Sequence, residues 1–330
     1  MKRKIPQTFE ETIAECDRAL SLGITNTEDL YKPLAIALNG HEFLSKKLPK
    51  RELIISPCLP KQGLAMIFAK RGVGKTYFSL LLACKIASGR DVFKNRWKVN
   101  KEWKLLYIDG EMPASDMQER LKTLISEDTK KENLSIITRD LQKNGIMPNI
   151  SSQEGQEALE PHIQKADVII IDNLSTLAMC GKENEATSWD PIAQWALRLR
   201  SIGKTIIFIH HAGKDNNQRG TSKKEDILDT VINLRHPSNY SSEEGARFEV
   251  HFEKSRGFAG EEAKAFEVKL EIKNDKALWQ TNEIEDLELE RVVELSHDGL
   301  SQRDIVNETG ISLSKVNRIL KRRKKELNKT

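Results

Sequence analysis

FAKRGVGKTYF, residues 68–78, carries the fold. An apolar run, LAMIFA (64–69), leads into a glycine-containing loop, and Lys75-Thr76 then opens a helical stretch. Such a strand, loop and helix start form a cradle for a triphosphate, because backbone N–H groups turn inward and the helix dipole adds partial positive charge. Gly72 and Gly74 give the backbone the freedom to wrap the oxygens, Lys75 reaches the β- and γ-phosphates, and Thr76 ligates Mg2+. Arg71, Gly72, Val73, Gly74, Lys75, Thr76 and Tyr77 are the expected nucleotide-contacting run. Ala69 stands where this motif carries its first glycine. Alanine is the smallest side chain able to replace it, and the wrap itself depends on residues 72–76, so the reading is a working ATP site.

Outward from this loop, short apolar runs alternate with longer helical stretches. The runs are 64–69, 104–109, 134–138, 167–172 and 205–210, and the helical stretches are 75–88, 114–127, 153–165 and 187–202. Continuous β-branched runs suit strands buried on both faces of a parallel sheet. The fold class is therefore α/β, a wound and mostly parallel sheet. Beyond 225, DILDTVINLRHP, ARFEVHFEKSRGF and AFEVKLEI predict further strands, extending the sheet as antiparallel edge strands. The domain reading is a helical N-terminal arm (1–47), a nucleotide-binding domain (48–281), an acidic linker (282–290) and a basic C-terminal domain (291–330).

Two further strand ends supply carboxylates. VIIIDN ends in Asp172, placed to hold Mg2+ or its water. LLYIDGEM ends in Asp109-Gly110-Glu111 at a strand's carboxyl end, where open α/β sheets bind ligands, and Glu111 is the candidate to polarise an attacking water. TIIFIHH sets His210 and His211 at another strand end; His210 is the candidate contact to the γ-phosphate.

Together RGVGKT, YIDGEM, VIIIDNLS, FIHHAGK with QRGTS, and FEKSRG resemble the RecA-like ATPases of the hexameric plasmid replicative helicase type, the RepA-like family, over about residues 60–260. That resemblance implies a ring of six subunits with ATP at each interface and Glu111 as catalytic base. It implies Arg219 as an arginine finger reaching a neighbour's γ-phosphate, with Lys254 and Arg256 as a second set of trans-acting cations; which of Arg219 and Arg256 is the finger stays open. It also implies that loops 175–191 and 212–226 line a channel for single-stranded DNA, with Lys182, Lys214, Lys223 and Lys224 as phosphate contacts.

Residues 291–330 hold ten Lys/Arg against five Asp/Glu, whereas the whole chain has a formal charge of +4. The basic excess is local, which points to one module that meets a polyanion. GLSQRDIVNETGISLSKVNRILKRRKKEL (299–327) predicts a helix-turn-helix: Ser301 caps a helix with Ile305 and Val306 facing inward, Gly310 turns, and Val316, Ile319 and Leu320 line the second helix. Ser314, Lys315, Asn317 and Arg318 face outward as candidate base contacts, while Lys321 and Arg322 hold phosphates of duplex DNA.

Four scattered cysteines have no metal-ligand spacing and fit reduced thiols of a cytoplasmic protein. No apolar run approaches the ~20 residues that span a bilayer. The combined expectation is an ATP- and Mg2+-dependent DNA helicase of a mobile element. Its rivals are a DNA-binding regulator or loader that does not unwind, and a DNA-binding protein with a vestigial nucleotide fold.

Overall fold

The computed structural model describes residues 37–93, 96–126, 129–178, 186–213 and 225–327, without the side chains of 186–188, 285–286 and 322–327. The chain divides into two units, Met1–Lys50 and Arg51–Thr330. The described part of the first holds a short helix, α1 (Gly40–Ser45), closed by a capping box between Asn39 and Glu42.

The second unit begins with a small hairpin of β1 (Leu53–Ile55) and β2 (Leu59–Pro60), followed by β3 (Leu64–Ala69) and α2 (Lys75–Ser88). Next come β4 (Leu105–Asp109), α3 (Ala114–Leu124), β5 (Leu134–Thr138), α4 (Gln153–Ile163) and β6 (Val168–Asp172). The short helix α5 (Leu174–Leu177), α6 (Ala186–Ser201), β7 (Thr205–His211) and β8 (Thr230–Arg235) continue the chain. Then β9 (Arg247–Ser255), β10 (Phe266–Lys273) and β11 (Lys276–Glu283) precede α7 (Ile284–His297), α8 (Gln302–Thr309) and α9 (Leu313–Leu327).

Nine strands form one sheet in the order β11-β10-β9-β8-β3-β7-β6-β4-β5. The five runs read as strands are all present and all parallel. Every residue of β3 is buried, because each face of the sheet is covered. Ala65, Ile67 and Ala69 join the core under α2 and α3, with Phe78, Leu81, Met117 and Leu121. Leu64, Met66 and Phe68 join the opposite core, under α4, α5 and α6, with Leu159, Leu174, Trp195 and Leu199. Each such buried aliphatic or aromatic side chain contributes roughly 1.5–3 kcal/mol relative to exposure.

The strands beyond 225 depart from expectation in two ways. β8 is parallel to β3 and sits beside it in mid-sheet, and only β9, β10 and β11 are antiparallel. β11, KALWQTNE, alternates between exposed and half-buried residues, a weak pattern that pairs along the whole of β10. Aromatic rings fill the space between α2 and these strands: Trp97 meets Phe266 edge-on at 5.7 Å, and Phe78 meets Phe248 at 5.7 Å.

The stretch 282–290, read as an acidic linker, is the end of β11 and the first half of α7, which starts at the residue after the strand. Leu289, with Val292 and Leu295 further along, gives α7 one apolar face, which packs with Ile305, Val316 and Ile319 in a core shared by α7, α8 and α9. Ser301 accepts the Asp304 N–H at the start of α8, and Gly310 ends it at φ 69°. Cys58 and Cys84 are buried free thiols. Among the described residues no helix is long and apolar enough to cross a membrane.

Candidate active site

At the carboxyl ends of β3, β4, β6 and β7 a cavity of about 530 Å³ opens, lined by Arg71, Gly72, Gly74, Lys75, Thr76 and Tyr77 from the loop. Glycine is required at two places in this loop. Gly72 has φ 82° and Gly74 has φ 114°, backbone regions that side chains disfavour, and a Cβ on Gly74 would lie 3.1 Å from the Phe248 ring. Ala69 is absent from the positive-φ positions; it is the last residue of β3 and fully buried. The odd alanine of the motif therefore occupies ordinary strand backbone.

Lys75 is buried, and its ammonium donates to the carbonyls of Ala69 (3.1 Å) and Lys70 (2.9 Å). Burial lowers its pKa, an effect opposed by the negative charges of Asp172 and Glu111. Val73 points its side chain into the core beneath α2, so its contribution to the wrap is through backbone alone.

Asp109 and Asp172 are paired neighbours on β4 and β6. Asp172 is 4% exposed and accepts hydrogen bonds from the Tyr107 hydroxyl (2.6 Å) and Ser79 (3.4 Å). Burial raises its pKa, against the lowering effect of the Tyr107 bond. Burial, followed by the neighbouring Asp172 carboxylate, pushes Asp109 up to about 7, while its Oδ2 accepts the Met112 N–H at 2.8 Å. Thr76 and these carboxylates present hard oxygen donors beside the loop, a set that suits Mg2+, which takes one or two carboxylates and completes its shell with phosphate and water. Among the described residues no cluster of three His, Cys, Asp or Glu could hold a metal ion.

Glu111 stands on the cavity wall just beyond β4, with its side chain 55% exposed. Asn173, one residue past β6, donates its side-chain amide to the Glu111 carboxylate, and also accepts the Thr176 N–H to cap α5. The His211 ring nitrogen Nε2 lies 3.6 Å from Glu111 and 3.3 Å from the Asn173 amide. Burial lowers the His211 pKa, and the Lys75 cation adds to that.

His210, the expected phosphate contact, does not line the cavity, whereas its neighbour His211 does. Residues 206, 208 and 210 of β7 share the face under α6, where His210 is 1% exposed, whereas 207, 209 and 211 share the face of α2 and the loop. Strand alternation sends one histidine to the core and the other to the cavity. The sequence had also offered no sign of Asn173, or of Met112, Pro113, Asp116, Arg120 and Ala246, which complete the lining. Arg120 stacks its guanidinium on the Tyr77 ring at 5.0 Å.

Lys254 and Arg256 lie at the other end of the sheet. β8 runs parallel to β3, and β9 returns antiparallel, so Ser255 pairs with Thr230 at the end remote from the loop. Lys254 donates to the Glu225 carbonyl, and Arg256 approaches Asp229 at 4.0 Å. Neither lines the cavity of its own chain. Arg219, Lys182, Lys214, Lys223 and Lys224 lie outside the described residues. In the C-terminal helices Ser314, Arg318 and Lys321 are exposed and Asn317 is partly exposed, but Lys315 is engaged by Glu288 of α7. The side chain of Arg322 lies outside the description.

A glycine loop leaving a mid-sheet strand, a buried lysine, and an aspartate and glutamate at neighbouring strand ends define a P-loop ATPase built on a mostly parallel sheet. The chain belongs to the AAA domain family AAA_25, whose model matches residues 32–217. Among solved structures it is similar to the flagellar accessory protein FlaH from Methanocaldococcus jannaschii, at 15% identity and a TM-score of 0.48, covering 67% of this chain and 90% of that one. It is similar also to a KaiC-like protein from Pyrococcus horikoshii OT3, at 17% identity and a TM-score of 0.48, covering 69% and 93%. A search of curated proteins finds no match.

Proposed function

We propose that this ATPase is a ring-forming motor on DNA, of the replicative-helicase type its motifs resemble. One observation carries the reading: Glu111 is joined to Asn173 and His211, which stand at the ends of β6 and β7. From those two ends the chain runs on into the lysine-bearing stretches 175–191 and 212–226. A strand end that touches the water-activating carboxylate on one side and feeds a DNA-gripping loop on the other can couple turnover to movement.

In this mechanism the loop N–H groups and Lys75 hold the phosphates, and Glu111 accepts a proton from the water whose oxygen attacks the γ-phosphorus as the bond to the β–γ bridging oxygen breaks and ADP leaves with its electrons. Thr76 and Asp172 would hold Mg2+, which neutralises charge on the phosphate oxygens. Arg219 or Arg256 from a neighbouring subunit, in a ring of six, supplies the remaining positive charge. The exposed Ser314 and Arg318 of α9, with the basic residues that follow, contact duplex DNA as a helix-turn-helix.

The test is ATP hydrolysis by wild type and Glu111→Gln, with and without single-stranded DNA, beside strand displacement on a forked duplex. Stimulation by single strands that is lost in the variant, together with displacement, supports the motor. Turnover indifferent to single strands rejects it and favours a regulator acting on duplex DNA. Truncation after Glu283 then separates the functions: duplex affinity falls while basal turnover persists. A cut at 291 would split α7 through the helical core, so the boundary belongs at 283.

A further inference from the structure

The turn that follows β5 carries no expected function, yet it grips the Glu111 loop at both of its ends. Arg139 donates from Nε and Nη2 to the Gly110 carbonyl, each at 3.2 Å. Its Nη1 donates to the Gly145 carbonyl at 3.0 Å, which closes the turn on itself. Asp140 accepts the Ala114 N–H at 2.8 Å. Ala114 is the first residue of α3, and Pro113 before it offers no side-chain cap, so Asp140 caps this helix from another element. Glu111 thus lies between two residues, Gly110 and Ala114, that are each tied to the same turn.

Ile137 before the turn and Met147 after it are anchored in the core, but the turn itself buries little apolar surface. Leu141 and Ile146 are 75% and 69% exposed, so the polar bonds of Arg139 and Asp140 hold it against the loop. The loop is confined on its other side too. The Gly110 N–H donates to the Asp172 carbonyl at 2.8 Å, and a Cβ on Gly110 would meet Thr176 Oγ1 at 2.6 Å. With the backbone held from both sides, the Glu111 carboxylate is placed where Asn173 and His211 reach it.

We propose that Arg139 is a positioning residue for Glu111, acting with Asp140 as a clasp that sets where the carboxylate meets the attacking water. The proposal rests on Glu111 being the base. A guanidinium spans the Gly110 and Gly145 carbonyls together, a reach that the single ammonium of lysine does not reproduce.

The experiment measures steady-state turnover of the full chain, and binding of a fluorescent ATP analogue, for Arg139→Gln, Arg139→Lys, Asp140→Ala, Glu111→Gln and the Arg139→Gln/Glu111→Gln pair. Arg139→Gln lowers kcat about 10- to 100-fold, the scale of an ångström-sized misplacement of a reacting group. Analogue affinity holds, and Arg139→Lys recovers only part of the rate. Lys143→Ala, in the same turn but without a tie to the loop, turns over normally. In the Glu111→Gln background Arg139→Gln causes no further loss, because the group it positions is already gone.

Wild-type kcat in Arg139→Gln overturns the clasp, as does an undiminished further loss in the double variant. Should Arg139→Gln fail to fold, Asp140→Ala reads the other anchor by the same criteria. Wild-type turnover in Glu111→Gln would instead remove the base reading beneath the proposal.

Discussion

The Asn173 amide donates to the Glu111 carboxylate while the Asn173 carbonyl oxygen of the same side chain caps α5 through the Thr176 N–H. One side chain therefore touches the proposed base and has a structural duty, and a substitution can separate them. Asn173→Asp keeps an oxygen for the cap but replaces the donor with a negative charge facing Glu111. We expect stability close to wild type and kcat lower by about 10- to 100-fold. Thermal unfolding and turnover measured on the same preparation check this; loss of both together would reduce Asn173 to a capping residue.

The loop's departure from its usual pattern has a testable consequence. Ala69 sits at the end of β3 in ordinary strand backbone, so Ala69→Gly should not raise turnover and should cost about 0.5–1 kcal/mol of stability through added chain freedom. Gly74→Ala should behave oppositely. It forces a side chain into φ 114° and against Phe248, so ATP binding should be lost. Equal turnover in wild type and Gly74→Ala would remove this loop from the active site.

The two histidines of β7 divide along the strand's two faces. His211→Ala should lower turnover and leave the unfolding midpoint nearly unchanged, since His211 faces the cavity. His210→Ala removes a side chain from the core under α6 and should instead destabilise the chain by about 1–3 kcal/mol with KM for ATP preserved. Paired kinetics and urea unfolding of both variants decide it, and a reversed pattern would restore His210 as the phosphate contact.

The difference between these histidines marks how far the sequence could be read. Buried apolar runs such as LAMIFA and VIIID announce parallel strands because both of their faces need apolar cover, Lys75 follows from opening the helix after the loop, and Glu111 and Asp172 from their places at or just past strand ends. Which of two adjacent histidines faces the loop depends on the strand's rotation in the sheet, which HH alone does not specify. Asn173 looks like any helix cap until β6 and β4 are set side by side, bringing it to Glu111. Arg139 and Asp140 escaped notice because their partners, Gly110 and Ala114, are backbone groups 29 and 26 residues away. The start of α7 at Ile284 was hidden by the acids around it, which conceal the apolar face that Leu289, Val292 and Leu295 continue. Placing β8 in mid-sheet required knowing that it pairs with β3, a long-range fact.

At the sheet end remote from the loop, the buried Asp229 carboxylate accepts the Arg51 guanidinium (3.0 Å) and the Leu64 N–H (3.1 Å), with Arg200 at 3.9 Å and Arg256 at 4.0 Å. Burial alone would raise its pKa; the Arg51 and Leu64 hydrogen bonds, with the charges of Arg51 and Arg200, outweigh that and hold it below the usual value. A carboxylate with a depressed folded-state pKa contributes stability in full above its unfolded value, near 3.9, and loses it as pH falls through the folded value. Asp229→Asn should therefore destabilise the chain at pH 7 by about 1–3 kcal/mol. That lies below the cost of breaking a wholly buried pair, because Arg51 keeps 37% of its side chain in water. The gap between variant and wild type should narrow as pH falls from 7 toward 3, and urea midpoints across that range measure it. A gap that stays constant with pH would mean that Asp229 acts through shape and neutral hydrogen bonding, and that its charge does not hold β3 to β8 at this end.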